Sequence, residues 1–450
     1  MHNNKTGTID EVSPATLRRV LAASAIGNFI EWFDFAIYGF MAVIISQHFF
    51  PQGDPTLALL QTFAVFAVSF ALRPLGGIFF GTLGDRIGRK NVLAITIIMM
   101  ASATAVIGLL PTYESIGLFA PLALTLARCA QGFSAGGEYA GACAFVMEHA
   151  PDKKRGWYGS FIPVSTFSAF ATAAALGLCL NTLVSEATMQ QWGWRIPFLI
   201  AAPLGLIGLY MRLKLDDSPA FRLIQQEHQA PNAPLRETLN SHAPIIISLM
   251  AFISATALSF YMFSTYFATY MQVAGGASRQ TALLASLGAL VIAALLCPVA
   301  GYYSDKVGRR NTIITACVSL AIAVFPAYGL AASGTLWASM LGASLMAVGA
   351  VLCGVVTAAL LSEQFPTRVR YTASALSYNV AYTIFGGTAP LVATWLIDLT
   401  GNNLAPAWYL IAIAAIALIG GLQLPETNGI SLIAIPDKPI RRPDISVPAM

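Results

Sequence analysis

Twelve separate apolar stretches, each long enough to cross a lipid bilayer as a helix, dominate this 450-residue sequence. A transmembrane helix needs about 20 mainly apolar residues. The stretches show almost none of the period-two alternation of membrane β-barrel strands, which excludes a barrel. The sequence therefore predicts an all-α, polytopic membrane protein with twelve transmembrane helices. Predicted spans 1 to 12 cover, in order, roughly residues 20–48, 58–81, 91–111, 118–148, 156–184, 195–213, 244–272, 280–303, 311–332, 335–362, 371–399 and 405–424.

The scarcity of charge excludes other classes of protein. Hydrophobic residues make up 56% of the chain and charged residues 10%, whereas a soluble domain is about 25% charged. A net charge of +4, spread in small groups, argues against a nucleic-acid partner. The six cysteines and five histidines lack metal-site spacing, and the sequence has no Walker-type phosphate loop. We therefore expect no cofactor and no metal, and a protein that is not an enzyme and does not use ATP.

The basic residues predict the orientation in the membrane. If the N-terminus is inside, 21 of the 25 Lys and Arg residues fall in inner segments. Arg195 and Arg279 fall outside, and Arg73 and Arg128 fall within spans. Because cytoplasmic loops carry an excess of Lys and Arg, this asymmetry predicts an even number of spans with both termini in the cytoplasm.

Two loop motifs stand 220 residues apart. GTLGDRIGRK (81–90) follows span 2, and GYYSDKVGRR (301–310) follows span 8. A second echo follows spans 4 and 10, as EHAPDKKR (148–155) and EQFPTRVR (363–370). Repeats of this kind indicate two related halves with a substrate site between them near the bilayer midplane. We predict an N-terminal six-helix bundle (1–213), a polar cytoplasmic linker (214–243) and a C-terminal bundle with a short tail (244–450).

The repeated loop has a chemistry of its own. Gly81 and Gly84 permit close helix approach, and Gly88 suits a tight turn. An aspartate there can pair with an arginine or lie at a helix N-terminus. Because the motif occurs twice at matched positions, we interpret it as a charged latch that must break when the inner face opens. The latch residues are Asp85, Arg89, Asp305 and Arg309.

Ionisable residues deep inside spans are costly and usually functional. All five that lie deep belong to the N-terminal half: Glu31, Asp34, Arg73, Arg128 and Glu138. Glu31 and Arg73 lie at a similar depth, about 18 Å from the cytoplasmic ends of their helices. Asp34 follows Glu31 by one turn on the same face, and two carboxylates so close in a low dielectric cannot both ionise cheaply. We predict that these five residues carry out proton coupling, with Glu31 and Asp34 sharing Arg73 as their counter-charge.

Other residues favour a zwitterionic substrate. Arg128 presents a planar fork that fits a carboxylate. Aromatic side chains flank the acids of span 1 and surround span 7, and aromatic faces attract quaternary ammonium groups. We place Arg128, Trp32, Tyr38, Tyr261 and Tyr266 in the candidate substrate site. The alternative for the rings is ordinary packing against lipid and protein.

The motifs also resemble a known family. GTLGDRIGRK resembles the signature loop of the major facilitator superfamily, and RCAQGFSAGG (128–137) matches the fourth-span motif of many proton-coupled members. GNFIEWFDFAIYGF (27–40), RPLGG (73–77), QGFSAGGEY (131–139) and WGWRIPF (192–198) are similar to the metabolite:proton symporters. Members of that family carry proline and betaines, oxoglutarate, citrate or shikimate, and FFPQGDP (49–55) is most similar to its proline and betaine carriers. The resemblance adds Gln131 to the candidate substrate site.

These expectations combine into one function. We predict a symporter of a bacterial inner membrane that imports a small polar metabolite with protons, with lipid and a small solute as its partners. A zwitterionic osmolyte such as proline or glycine betaine ranks first. The alternatives are proton symport of a carboxylate such as oxoglutarate, citrate or shikimate, drug export by antiport, and a membrane sensor that has lost transport.

Overall fold

The computed structural model describes residues 13–214, apart from 52 and 54, and residues 234–432. Among these residues the regular structure is helical and no β-strand is present. The helices that form spans 1 to 12 are, in order, Pro14–Phe40 with Ala42–Phe49, Pro55–Ala71 with Arg73–Ile87, Arg89–Leu109, Phe119–His149, Arg155–Gly159 with Phe161–Leu183, Ile196–Leu213, Pro234–Tyr261 with Phe267–Val273, Arg279–Val307, Arg309–Ala331, Leu336–Glu363, Arg370–Ala381 with Ala389–Thr400, and Ala405–Gln423.

These helices confirm the predicted fold class. Within the described part of the chain, eleven helical stretches are long and apolar enough to cross a membrane. The remaining span is span 4, Phe119–His149, a helix of 31 residues. It is less apolar because Arg128, Gln131 and Glu138 lie within it. The protein is therefore an all-α membrane protein with twelve spans.

The predicted linker is only partly described. Span 7 begins at Pro234, earlier than the predicted residue 244, and proline is well tolerated at the first position of a helix. The last third of the predicted linker, residues 234–243, is therefore helical. Residues 215–233 and the tail beyond residue 432 lie outside the described residues, so the predicted domain boundaries stay a prediction.

Two spans each contain a π-helical turn that interrupts the α-helix. In span 7 it covers Met262–Tyr266, and in span 11 it covers Tyr382–Gly386. A π-turn inserts one extra residue into the helical repeat and is frequent at functional sites. The turn in span 7 directly follows Tyr261, and the turn in span 11 begins at Tyr382. The ring centroids of these two tyrosines are 6.2 Å apart.

Glycines bring spans 2 and 4 into backbone contact. A β-carbon at Gly132 would lie 1.9 Å from the carbonyl oxygen of Ser69, and one at Gly136 would lie 2.2 Å from that of Arg73. Small residues permit this approach between membrane helices. The glycines of RPLGG and QGFSAGG therefore allow spans 2 and 4 to pack closely together. The two interior arginines, Arg73 of span 2 and Arg128 of span 4, both belong to this helix pair.

Candidate functional site

The first interior ion pair joins span 1 to span 2. Arg73 Nη2 lies 3.3 Å from Glu31 Oε1, and both side chains are buried. The guanidinium also lies against three rings, with its Cζ 4.2 Å from the centroid of Phe35, 4.5 Å from that of Phe70 and 5.4 Å from that of Trp32. Nε and Nη1 of Arg73 have no hydrogen-bond partner within the described residues. Arg73 therefore keeps donors available beyond its pair with Glu31.

The second interior group is a chain of hydrogen bonds through spans 1, 3 and 4. Thr104 donates from its hydroxyl to Asp34 Oδ2, and Gln131 Nε2 donates to Thr104 Oγ1 at 2.5 Å. Arg128 Nη1 then donates to Gln131 Oε1 at 2.8 Å, and its Nη2 donates to Ser69 Oγ at 3.3 Å. The chain connects the carboxylate of Asp34 to the guanidinium of Arg128 through two neutral side chains.

The two acids of span 1 are thus served by different cations. We expected Glu31 and Asp34 to share Arg73, but Asp34 is connected to Arg128 instead. The reason is helical geometry: residues three apart differ by about 60° around the helix axis. That angle turns Glu31 towards span 2 and Asp34 towards span 3, so the two carboxylates belong to separate networks.

Glu138 lies on the Glu31 side of this arrangement. Thr96 Oγ1 donates to Glu138 Oε2 at 2.7 Å. Glu138, Glu31, Thr96 and Ser134 line one narrow crevice inside the first six helices. The structure therefore brings two of the predicted coupling acids to a common crevice.

An aromatic cluster joins the two halves in the interior of the protein. The Trp32 centroid lies 5.0 Å from that of Phe260, 6.3 Å from that of Tyr261 and 6.2 Å from that of Tyr382. Phe70 of span 2 lies 5.6 Å from Tyr261. Spans 1, 2, 7 and 11 all contribute, so this central cluster (Trp32, Phe70, Phe260, Tyr261 and Tyr382) lies where a site between the halves was predicted.

Two of the predicted aromatic site residues lie elsewhere. Tyr38 packs on Arg128, with the Arg128 Cζ 4.1 Å from its ring centroid, and donates from its hydroxyl to the carbonyl of Thr62 at 3.0 Å. Tyr266 lies beside Tyr270, 6.4 Å between centroids. Tyr38 is six residues beyond Trp32, which places it about 9 Å further along the helix. The predicted group of four rings therefore splits, and only Trp32 and Tyr261 meet.

The repeated aspartates both cross between the halves. Asp85 accepts hydrogen bonds from the backbone N–H of Tyr371 at 3.1 Å and of Thr372 at 2.8 Å, in the first turn of span 11. Asp305 accepts from the backbone N–H of Gly156 at 2.7 Å and of Trp157 at 2.8 Å, at the start of span 5. A carboxylate is favoured at such a helix start, where N–H groups are unpaired. Each half thus caps a helix of the other.

Two ion pairs reinforce these caps. Each of them joins a residue of one echoed stretch to a residue of the other. Arg370 of the second half pairs with Glu148 of the first at 2.7 Å. Arg155 of the first half lies 3.9 Å from Glu363 of the second, and Glu363 also pairs with Arg309 at 2.9 Å. We call the end of the molecule that carries these contacts the loop face. The side chain of Arg89, the fourth predicted latch residue, lies outside the described residues.

A segment after the last helix, residues 425–432, adds to the loop face. Glu426 accepts from the backbone N–H groups of Arg309 and Arg310, both at 2.9 Å. Arg155 donates to the carbonyl of Ile430 at 2.5 Å, and Arg370 donates to that of Leu432 at 3.0 Å. The segment therefore contacts arginines of both halves.

Sequence reasoning missed several of these residues. The pairing of Glu148 with Arg370 and of Arg155 with Glu363 was accessible, because the two echoed stretches each begin with Glu and end with Arg. Thr104, Ser69 and Tyr382 carry no comparable signal. They are ordinary residues of apolar spans, and only the packing of neighbouring helices makes them partners.

The comparisons with known proteins agree with this architecture. Residues 24–390 match the Major Facilitator Superfamily. The glycine betaine/proline/ectoine/pipecolic acid transporter OusA of Dickeya dadantii is 40% identical over 425 residues, which cover 92% of this chain and 85% of that protein. The proline/betaine transporter of Escherichia coli K12 is 37% identical over 425 residues, with the same two shares.

A solved structure is similar over almost the whole chain. The proton:xylose symporter XylE, bound to 6-bromo-6-deoxy-D-glucose, superposes with a TM-score of 0.75 at 17% sequence identity, covering 93% of this chain and 98% of that one. At that identity the likeness concerns the fold. The twelve spans and this match define a membrane transporter fold of two six-helix halves.

The chain belongs to the Major Facilitator Superfamily. Within it, the chain is similar over most of its length to proline/betaine transporters, which confirms the resemblance drawn from the motifs. It is accordingly a multi-pass membrane protein of a transporter family.

Proposed function

We propose that this protein is a proton-coupled symporter that imports a zwitterionic osmolyte of the proline and glycine betaine type. We place it in a bacterial inner membrane with both termini, and hence the loop face, in the cytoplasm. The similarity to relatives named glycine betaine and proline transporters supports the substrate class. The similarity to a proton:xylose symporter supports proton coupling by a protein of this fold.

One observation carries the proposal: the interior charges lie next to the junction between the two halves. Arg73 contacts Trp32 and Phe70, both members of the central cluster that spans 7 and 11 complete. A change in protonation of the paired acids therefore alters charge at the surface along which the halves rock. In this mechanism Glu31, Asp34 and Glu138 exchange protons, and Arg73 and Arg128 supply fixed positive charge.

The loop face supplies the second requirement of such a transporter. Alternating access needs a barrier at one end that can be broken and remade. The caps at Asp85 and Asp305 and the pair of Glu148 with Arg370 hold the halves together at this end. In the proposed cycle these contacts separate when the loaded protein opens to the cytoplasm.

Reconstituted vesicles test the function directly. With an imposed inward proton gradient, labelled glycine betaine should accumulate, and an uncoupler should abolish the accumulation. Competition with unlabelled proline, oxoglutarate and citrate separates the zwitterion from the carboxylate alternatives. Accumulation that persists without any pH difference or voltage would overturn proton coupling, and competition by citrate alone would overturn the substrate class.

A further inference from the structure

The two interior arginines differ in what they leave available. Arg128 uses Nη1 and Nη2 in hydrogen bonds to Gln131 and Ser69, and its ring contacts are with Phe35, Tyr38 and Phe66 of spans 1 and 2. These partners all belong to the first six helices. The hydrogen bonds and ring contacts described for Arg128 therefore lie within one half, and of its donors only Nε is buried without a partner among the described residues.

Arg73 has the opposite character. Its one described hydrogen bond goes to Glu31 at 3.3 Å, and its Nε and Nη1 are buried without a partner among the described residues. A buried, unpaired charged donor is rare and calls for an explanation. Arg73 lies over the ring of Trp32, and Tyr261 and Tyr382 of the second half lie 6.3 and 6.2 Å from that ring between centroids. Tyr261 likewise has a buried hydroxyl without a partner within the described part of the chain.

The surroundings of Arg73 fit both ends of a small zwitterion. Its two open donors suit a carboxylate, which guanidinium groups bind through paired hydrogen bonds. The ring of Trp32 lies 5.4 Å from the Arg73 Cζ, and Tyr261 and Tyr382 adjoin that ring. An ammonium group one carbon away from a carboxylate on Arg73 would therefore lie against aromatic faces, which attract such cations.

We propose that Arg73, rather than Arg128, binds the substrate carboxylate, and that the substrate and Glu31 compete for this one guanidinium. The inference rests on the proposed function and specifies its substrate site. When the substrate carboxylate bonds to Arg73, Glu31 loses its counter-charge and takes a proton on a carboxylate oxygen. The proton comes from water and no covalent bond to the substrate forms or breaks. Each zwitterion then enters with about one proton, because one carboxylate replaces another.

The groups around Glu31 set the pH behaviour. Among the described contacts, Arg73 of span 2 lies 3.3 Å from it and Glu138 of span 4 lines the same crevice, while Tyr139 of span 4 and Tyr261 of span 7 lie within range of its charge and Asp34 lies one turn along its own helix. Low pH protonates Glu31 and frees Arg73, which favours the substrate. High pH keeps Glu31 ionised on Arg73, which opposes the substrate. The affinity for a carboxylate-bearing substrate should therefore fall by about tenfold per pH unit once Glu31 is ionised in the unloaded protein.

Equilibrium binding to the purified full chain tests the proposal, with glycine betaine and its carboxylate-free analogue choline as probes. We expect Glu31→Gln to bind betaine with an affinity that changes less than about twofold between pH 6 and pH 8.5. Arg195→Gln is the control, because Arg195 donates to the carbonyls of Gly108 and Leu110 outside the interior networks, and it should keep the wild-type slope. The paired variant Glu31→Gln/Arg73→Gln, which leaves no unpaired charge, should bind betaine at least about tenfold more weakly and choline unchanged.

A measurement on the unaltered protein makes the test independent of how the variants fold. In weakly buffered solution, betaine binding should take up about one proton per molecule bound, and choline binding should take up none. Betaine binding without proton uptake, or a Glu31→Gln protein with the wild-type slope, would overturn the competition while leaving the proposed function standing. Wild-type protein that binds no betaine at any pH would overturn the proposed function, and this inference with it.

Discussion

The two halves of the molecule are alike at the loop face and unlike in the interior between them. At the loop face, Asp85 and Asp305 play equivalent parts, each capping a helix of the opposite half. At the centre, the first half carries the buried charges, whereas the second half contributes Phe260, Tyr261 and Tyr382. In the proposed cycle both caps separate together, which accounts for their symmetry. The proposed proton coupling needs ionisable groups in only one half, and the other half then provides packing and binding surfaces.

The largest expected effect comes from the charges that make the halves unlike. Asp34→Asn should lower proton-driven uptake by about a hundredfold or more, because a positioned proton carrier contributes at least that much. Initial rates in vesicles with an imposed pH gradient measure the change. Exchange of labelled for unlabelled betaine, which needs no net proton movement, should survive.

A matched control for this prediction lies outside the interior networks. Arg195 donates to the carbonyls of Gly108 and Leu110 at 2.7 and 2.8 Å, at the far end of the helices from the loop face. We expect Arg195→Gln to stay within a few-fold of wild type. Full proton-driven uptake by Asp34→Asn would show that the Asp34 network is structural only.

The second effect concerns packing rather than charge. Gly132→Ala would place a β-carbon 1.9 Å from a backbone oxygen, whereas a β-carbon at Gly354 in span 10 finds its nearest described neighbour 3.9 Å away, at Pro163. Gly132→Ala should therefore destabilise the fold by about 3 kcal/mol or more. Gly354→Ala should change the free energy of unfolding by less than about 0.5 kcal/mol. Denaturant unfolding of both variants in the same detergent measures the two changes. Equal losses of unfolding free energy would contradict the prediction that only Gly132 lies in close backbone contact.

The smallest effect tests the likeness of the two loops. Asp85→Asn and Asp305→Asn should each weaken a charged helix cap by about 1–2 kcal/mol. That change shifts the balance towards the conformation open at the loop face by about tenfold. Distances between spin labels on the loop ends of the two halves measure the shift. A large response to one substitution and none to the other would mean that only one of the repeated loops acts as a latch.

Much of the fold could be predicted from the sequence because the bilayer imposes strong constraints. Apolar length fixed the spans, and the repeat at Asp85 and Asp305 identified the loop face. The five charges that lie deep inside spans of the first half were also found, because a charge in an apolar run is conspicuous. The π-turn at Tyr382 left no such signal, since it depends on how span 11 packs against its neighbours.

The pairing of the interior charges could not be predicted for a related reason. Spacing places Glu31 and Asp34 on one face of span 1, but their partners depend on the rotation of spans 2, 3 and 4 around it. Gly132 and Gly136 set part of that rotation through backbone contacts. Such contacts involve residues far apart in the chain, so the assignment of Arg73 to Glu31 and of Arg128 to Asp34 required the structure.

Proton movement that accompanies the solute tests the central claim most directly. In vesicles that contain a pH-sensitive dye and have their voltage clamped to zero, addition of glycine betaine outside should acidify the interior as the solute enters. Asp34→Asn vesicles should show no acidification. If wild-type vesicles take up labelled betaine while the interior pH stays constant, the solute moves without a proton and the account is contradicted.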